Sequence, residues 1–417
     1  MMPLISPPEG MAVSQSSDSE WYKRAQQSIA HAALTNSKRP ETLVKGVYPT
    51  HINDSKGCYV FANGRRYVDF ICGLGTNLLG YGNEEVAQVI AQQAYRGISP
   101  SFSTEIEVLA AEKVKELFPW IEQVRFLKTG GESCSAAVRI ARTFRKESFL
   151  LSQGYHGWHD EFVSLTPPSL GVPEETGNIF DLNLWENSQL LGPQGIGREQ
   201  TIILEPVELD SSPKRIDYLK ELKSRKSNPT IIHDEIITGF RYLSHSVSKH
   251  HGVRPDLICL GKAIANGMPL AVVGGKKEIM ECDEYFVSST FAGETLSLVA
   301  ALKTMTLLQT KYNVADLWSH GKRFQDEFNS FLPGVQLNGY ATRARLEGDP
   351  LQKALFMQEA CKANIIFGPS WFISFSHIGI LDDVLKTCQA IFLKIKNGMV
   401  KLEGQMPKSP FAERLRK

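Results

Sequence analysis

Between about residue 120 and residue 275 the chain repeats one device: a short, nearly unbroken apolar run that ends in charged, polar or glycine residues. "TIILEPV", "TIIHDEIITGF" and "DLICLGK" are the clearest cases, preceded by "VRFLKTGGES" and "SFLLSQGYHG". A strand apolar at consecutive positions has to be covered on both faces, which is the condition of a parallel sheet between two helical layers. Helical patterns stand between the runs: from Glu132 to Arg145, the residues Ala137, Ile140, Ala141 and Phe144 recur at helical spacing. The predicted fold class is α/β, a mostly parallel central sheet with helices on both faces. Ligands of such sheets sit beyond the carboxyl ends of the strands. The tips Gly130-Gly131, Tyr155-His156, Glu205, Asp234 and Lys262 are therefore expected to meet in one crevice.

The flanks have a different character. "GCYVFANGRRYVDF" reads as a hairpin around Asn63-Gly64. "TLSLVAALKTMTLLQT" opens a long helix, and "GDPLQKALFMQEACK" reads as a short helix before the first strand of the C-terminal part, "ANIIFGPSWFISFS". The two ends are expected to form one smaller α+β domain packed on the central one. The expected boundaries are 1–20 for a disordered leader, 21–75 and 301–417 for the two parts of the small domain, and 76–300 for the large domain. The leader holds no Lys or Arg and no long apolar core, so neither a secretory nor a mitochondrial signal is expected.

Composition excludes several classes of partner. Forty-six basic residues against 45 acidic ones leave a net charge of +1, which supplies no field for nucleic acid or an anionic membrane. No apolar run approaches the ~20 residues that cross a bilayer. The 7 cysteines are odd in number, scattered and without a C-x-x-C, a pattern that suits a reducing, cytoplasmic compartment better than a disulfide framework or a zinc site. "YHGWHDE" gathers His156, His159, Asp160 and Glu161, but its spacing matches no helix-borne motif such as H-E-x-x-H, and no metal is expected.

Lys262 stands among Ile258, Cys259, Leu260, Ala263 and Ile264. An ammonium there either reaches water along an apolar stem or has its charge suppressed for chemistry. Asp234 and Glu235 end an apolar strand, where a carboxylate needs a cationic or proton-donating partner; Arg241 is a structural candidate. "KTGGES" offers successive backbone N–H groups at a helix N-terminus, which suits a phosphate, although a tight turn with positive φ would use the same glycines. One cofactor accounts for a lysine, a carboxylate, a phosphate nest and an aromatic side chain together. Pyridoxal 5'-phosphate (PLP) needs a lysine for its Schiff base, an acid at its pyridine nitrogen, a phosphate cradle and a side chain stacked on its ring.

"HDEIITGFRY" followed by "GVRPDLICLGKAIANGMPLAVVGG" resembles the signature of the class III aminotransferases of fold type I, and within them the glutamate-1-semialdehyde aminomutase branch. "VRFLKTGGESCSAAVRIAR", "YHGWHDE", "EPV" and "STFAGETLSLVAAL" resemble further segments of that family in the same order, over roughly residues 40 to 390. The resemblance implies a PLP enzyme of transaminase or aminomutase type. Lys262 would be the Schiff-base lysine and Asp234 the partner of the pyridine nitrogen. Gly130 and Gly131 would line the phosphate with help from Thr129, Tyr155 would stack on the ring, and Glu205 would match the family's E-P-V glutamate. Thr290 resembles the threonine that reaches the phosphate across a dimer interface, which implies a homodimer with shared active sites.

Several positions depart from the family pattern. Gly131 stands where a hydroxyl is common, and Asp210 where the aminomutase has an amide near the cofactor hydroxyl. "GYGNE" and Gly293-Glu294-Thr295 replace two further family motifs, which suggests a divergent relative. Many relatives hold a substrate carboxylate with a late arginine, yet none occurs here between Arg345 and Arg414. Arg39 lies near the aminomutase's substrate-carboxylate arginine, and Trp371 with His377 would line a less acidic pocket or pack between domains. The expected substrate is a small amino/keto compound or amino aldehyde. Decarboxylation or racemisation on the same cofactor, and a scaffold that has lost it, are the alternative readings.

Overall fold

The computed structural model describes residues 18–163, 171–173, 179–182, 200–225, 228–331 and 333–408. Most of the expected leader lies outside these residues, but its last three, 18–20, open the helix Asp18–Ser28.

One sheet joins both chain ends. Strands β1 (Asp54–Lys56), β2 (Tyr59–Ala62) and β3 (Arg65–Asp69) form an antiparallel meander, and β13 (Ile365–Ile366) pairs with β3 in parallel. Asn63 and Gly64 have φ of 53° and 70° between β2 and β3, the left-handed pair that a two-residue hairpin loop requires.

The central sheet has seven strands: β4 (Gln123–Leu127), β5 (Leu150–Gln153), β6 (Ile179–Asp181), β7 (Thr201–Leu204), β8 (Thr230–Glu235), β9 (Leu257–Leu260) and β10 (Ala271–Gly275). Their spatial order is β4-β10-β9-β8-β7-β5-β6. β5 to β9 run parallel, and β10 is antiparallel to both its neighbours. Burial on both faces is visible in the alternation along β9. Leu257 and Cys259 join the apolar cluster under the helix Gly130–Arg145, while Ile258 and Leu260 join the cluster on the opposite face. Full burial of such an aliphatic side chain contributes about 1.5–3 kcal/mol.

A hairpin that the sequence reading lacks, β11 (Val335–Tyr340) and β12 (Arg343–Gly348), forms a third sheet with β14 (Ser370–Phe372). Trp371 on β14 is fully buried, with its ring 5.9 Å from Phe70 and 5.3 Å from Phe324. It belongs to an aromatic interior shared by both chain ends, so the expectation that it contacts substrate is corrected: no face of its indole is open to a ligand. Arg241 is likewise structural, but not as the partner of a carboxylate. Its guanidinium donates to the carbonyls of Gly75, Thr342 and Ile373 and lies 5.1 Å over the Phe372 ring, tying the end of β8 to the chain-end elements.

All seven cysteines are free thiols. No helix among the described residues is long and apolar enough to cross a membrane.

Candidate active site

The tips of β8 and β9 divide the chemistry between neighbouring residues. Glu235 is wholly buried and serves as a cap: it accepts from Thr238 and Ser246 hydroxyls and from the amides of Val247 and Ser248. Asp234, one residue earlier, points to the other face of the strand, as the two-residue period requires. Its Oδ2 meets His156 Nδ1 at 2.8 Å and accepts from the Cys134 thiol at 3.3 Å, and its Oδ1 accepts from the Ile236 amide at 3.0 Å. His156 Nε2 faces the Gln153 carbonyl at 3.1 Å. Cys134, His156 and Asp234 are the residues that come together with metal-ligating atoms among the described residues. Burial above all, and the neighbouring Cys259 and Asp234, push the Cys134 thiol up, away from the thiolate that a metal would need.

Lys262 follows β9 and Gly261 and opens the 3-10 turn Lys262–Ala265, with a φ of 42°. Ala263, Ile264 and Ala265 are completely buried and anchor the turn, while Lys262 remains half-buried. Its Nζ has no hydrogen-bond partner among the described residues. Burial lowers its pKa to about 8; Glu205 and Asp234 oppose the shift, and Arg343 and Arg241 add to it. Ile236 is wedged between this turn and the glycine turn. A Cβ on Gly130 would stand 2.9 Å from Ile236 Cγ2, and one on Gly261 2.9 Å from its Cδ1.

The glycine turn opens the helix Gly130–Arg145. Thr129 caps it, accepting from the Glu132 amide at 3.2 Å, and Glu132 accepts in return from the Thr129 amide. The Gly130 and Gly131 amides lie in the first turn, where no helical partner exists, and no other described residue takes them. The loop after β5 crosses this N-terminus closely: a Cβ on Gly157 would lie 2.7 Å from Gly131 Cα. A Cβ on Gly131 would meet nothing nearer than 3.5 Å. The same loop leaves the Tyr155 ring half exposed, and Glu205 accepts its amide at 2.9 Å. Gly154, at φ +108°, is what lets Glu205 approach, since a Cβ there would sit 2.8 Å from its Oε1. Burial, then repulsion from Asp234, raises the Glu205 pKa.

Three expected residues stand elsewhere. Asp210 is exposed and its carboxylate accepts from the amide and hydroxyl of Ser212, at 2.8 and 3.1 Å; it shapes the entry to the helix Pro213–Ser224. Arg39 lies in a run of short turns, and no hydrogen bond or ion pair among the described residues joins it to the strand tips. Thr290 is exposed, between Phe286 and Phe291, which are 79% and 58% exposed. A cleft of about 480 Å³ beside that segment is lined by Glu107, Val108, Arg125, Phe126 and Ser289 and lies along the sheet-edge strand β4, away from Lys262.

Sequence reasoning placed His156 among the strand tips but missed its part as the partner of Asp234, and it missed Cys134. It also missed Arg343, on a hairpin it did not predict. The alternation of Val335, Leu337 and Leu346 with polar residues is the signal that could have found that hairpin.

The class-III aminotransferase family model matches residues 44–184 and 200–337. The chain therefore belongs to the class-III aminotransferases, a family of enzymes of PLP-dependent amino-group transfer. It is 31% identical to the glutamate-1-semialdehyde 2,1-aminomutase of Clostridium novyi, over 72% of this chain and 74% of that one. It is 29% identical to the 3-aminobutyryl-CoA aminotransferase of Cloacimonas acidaminovorans, over 76% and 79% respectively. Its fold superposes on the PLP internal aldimine form of the Sphingopyxis FumI protein with a TM-score of 0.83 and 17% identity, over 94% of this chain and 98% of that one.

Proposed function

We propose that the protein transfers an amino group, between two molecules or within one, on a small amino/keto or amino-aldehyde substrate, with PLP held at Lys262. The observation that carries this reading is the pairing of a half-buried lysine of pKa about 8 with a carboxylate already braced by His156, at the tips of adjacent strands. The residues present fit the cofactor. Two unused amides at Gly130 and Gly131 begin a 16-residue helix, whose N-terminus favours a phosphate. Thr129 would add its hydroxyl proton to these amides. The exposed Tyr155 ring would cover one face, with Glu205 holding the loop that carries it.

When bound, PLP supplies an electron sink that makes the carbon bearing the amino group acidic. Lys262 would hold the cofactor through Nζ and, once displaced by the substrate amine, move the proton on and off that carbon. A base must be neutral to act, and the lowered pKa keeps a useful fraction of Nζ neutral near pH 7. Asp234 would hold a proton on the ring nitrogen, with Oδ1 the less occupied oxygen. His156 and Cys134 fix the orientation of Asp234 from below. The exposed Phe286, Thr290 and Phe291 support a homodimer in which the partner subunit's Thr290 reaches the phosphate end.

The test is an absorbance spectrum from ~300 to ~500 nm of the protein with added PLP, beside Lys262→Ala. The wild type is expected to show a visible band of the lysine-bound cofactor, and the variant to lack it. A wild type without that band overturns the reading.

A further inference from the structure

Both ends of the lysine turn stand in the left-handed region, but only one is a residue that favours it. Lys262 has a φ of 42°, and Asn266, which closes the turn, has a φ of 42° and a ψ of 51°. Asparagine tolerates that conformation, whereas a lysine keeps it only where the surrounding structure enforces it. Within the turn the Ile264 amide donates to the Gly261 carbonyl at 3.1 Å and the Asn266 amide to that of Ala263 at 3.3 Å. The enforcing contact comes from a distant part of the chain. Asn266 Oδ1 accepts from the Leu79 amide at 2.9 Å, and its Nδ2 donates to the Gly80 carbonyl at 3.0 Å. The following residue is fitted to the same segment: a Cβ on Gly267, at φ +103°, would stand 2.8 Å from Asn77 Oδ1. That segment is itself held from its other side. The Leu78 carbonyl accepts from the Phe375 amide at 3.0 Å, and the Leu79 carbonyl from the Ser376 hydroxyl at 2.9 Å.

We propose that Asn266 is a positioning residue for Lys262: by clamping the turn to Leu79 and Gly80, it keeps Nζ in its buried setting. The proposal deepens the PLP reading above and rests on it for the use made of Lys262. Burial is the main cause of the lowered Lys262 pKa. A turn released from its clamp lets the ammonium reach water along its apolar stem, which raises the pKa again. The charged groups that act on Nζ are Glu205 after β7, Asp234 on β8, Arg241 beyond it and Arg343 on β12. All four stand on other elements, so loss of the clamp alters the burial of Lys262 and not their charges.

The experiment treats the full-length apoprotein with cyanate, which carbamylates only the neutral amine, from about pH 6 to 10. Mass spectrometry of the peptide that carries Lys262 reads the rate. Wild type is expected to show a midpoint near pH 8. Asn266→Gly keeps the left-handed backbone and loses only the clamp; its midpoint should rise by about one pH unit, a roughly tenfold smaller neutral fraction at pH 7. Ser376→Ala removes a bond from the same segment on the side away from Lys262. It should lower the melting temperature and leave the midpoint in place. An unchanged midpoint in Asn266→Gly, an equal rise in Ser376→Ala, a glycine variant that does not fold, or a wild-type midpoint at the ordinary lysine value overturns the proposal. Added PLP separates the two readings: a wild type with its midpoint near pH 8 but no visible band overturns the cofactor reading alone.

Discussion

The strand-tip crevice and the aromatic interior packed from the chain ends bury polar groups in opposite ways. In the interior Tyr48 and His377 are uncharged and bonded, while Trp371 Nε1 is buried without a partner. Tyr48 donates to the Met357 and Phe367 carbonyls, and His377 sits against Phe70 with its ring nitrogens on Ser374 and the Asp69 carbonyl. Burial drives the His377 pKa down to about 3. In the crevice Asp234 and Glu205 act on the charge of Lys262, whose Nζ has no hydrogen-bond partner among the described residues. Buried charge is expensive, and groups with perturbed titration concentrate at functional sites. The contrast separates residues that hold the fold from residues held by it.

Removing Lys262 should break the contrast most visibly. Lys262→Met is expected to lower amino transfer by about 10³-fold or more, measured as single-turnover rates with excess PLP. The apoprotein's melting temperature should hold or rise, because a cation disfavoured by burial is gone. A fall of several degrees would instead assign Lys262 a structural part.

The interior should respond the other way. Trp371→Ala is expected to cost about 3–5 kcal/mol in urea unfolding, while the folded fraction keeps its visible cofactor band. Loss of substrate discrimination in that folded fraction would return Trp371 to the site. Asp234→Asn should lower transfer by about 10²- to 10³-fold with the fold retained, read from circular dichroism and the same single-turnover assay. Equal activity would show that the ring nitrogen needs no anion here.

The smallest effect expected is on acid stability. His233 and His377 both have folded pKa values of about 3, lowered chiefly by burial. Between that value and the unfolded value near 6.5 the unfolded chain binds more protons than the folded one. Stability contributed by the neutral rings is therefore full above about pH 6.5 and is lost as pH falls, by up to about 1.4 kcal/mol per pH unit for each histidine. Unfolding midpoints in urea at pH 7, 6 and 5 check this; a midpoint flat over that range would mean that the rings titrate normally.

Much of the candidate site was legible because its residues stand at the ends of strands, and strand ends are visible as breaks in apolar runs. Asp234, Lys262, the Gly130 turn and Tyr155 are each marked in that way. Residues that act through long-range packing were not legible. Arg241 looks like a carboxylate partner in sequence, yet its neighbours come from residues 75, 342 and 373. Asp210 and Trp371 stand at suggestive positions, but a local turn captures one and a cluster of phenylalanines the other. Glu235 and Asp234 are indistinguishable by residue chemistry alone, and the face of β8 on which each lies separates the cap from the carboxylate turned toward His156 and Cys134.

By itself the sequence determined the α/β class, the strand tips and the lysine–aspartate pair, since periodicity and local turn chemistry depend on residues near one another in the chain. Tertiary structure alone decided which cations are spent on backbone carbonyls and which keep an open edge, because burial and hydrogen-bond saturation depend on atoms contributed from distant segments. Arg343 is the clearest instance: its neighbours Glu208 and Phe372 lie far from it in the chain, and only folding leaves its Nε buried without a partner.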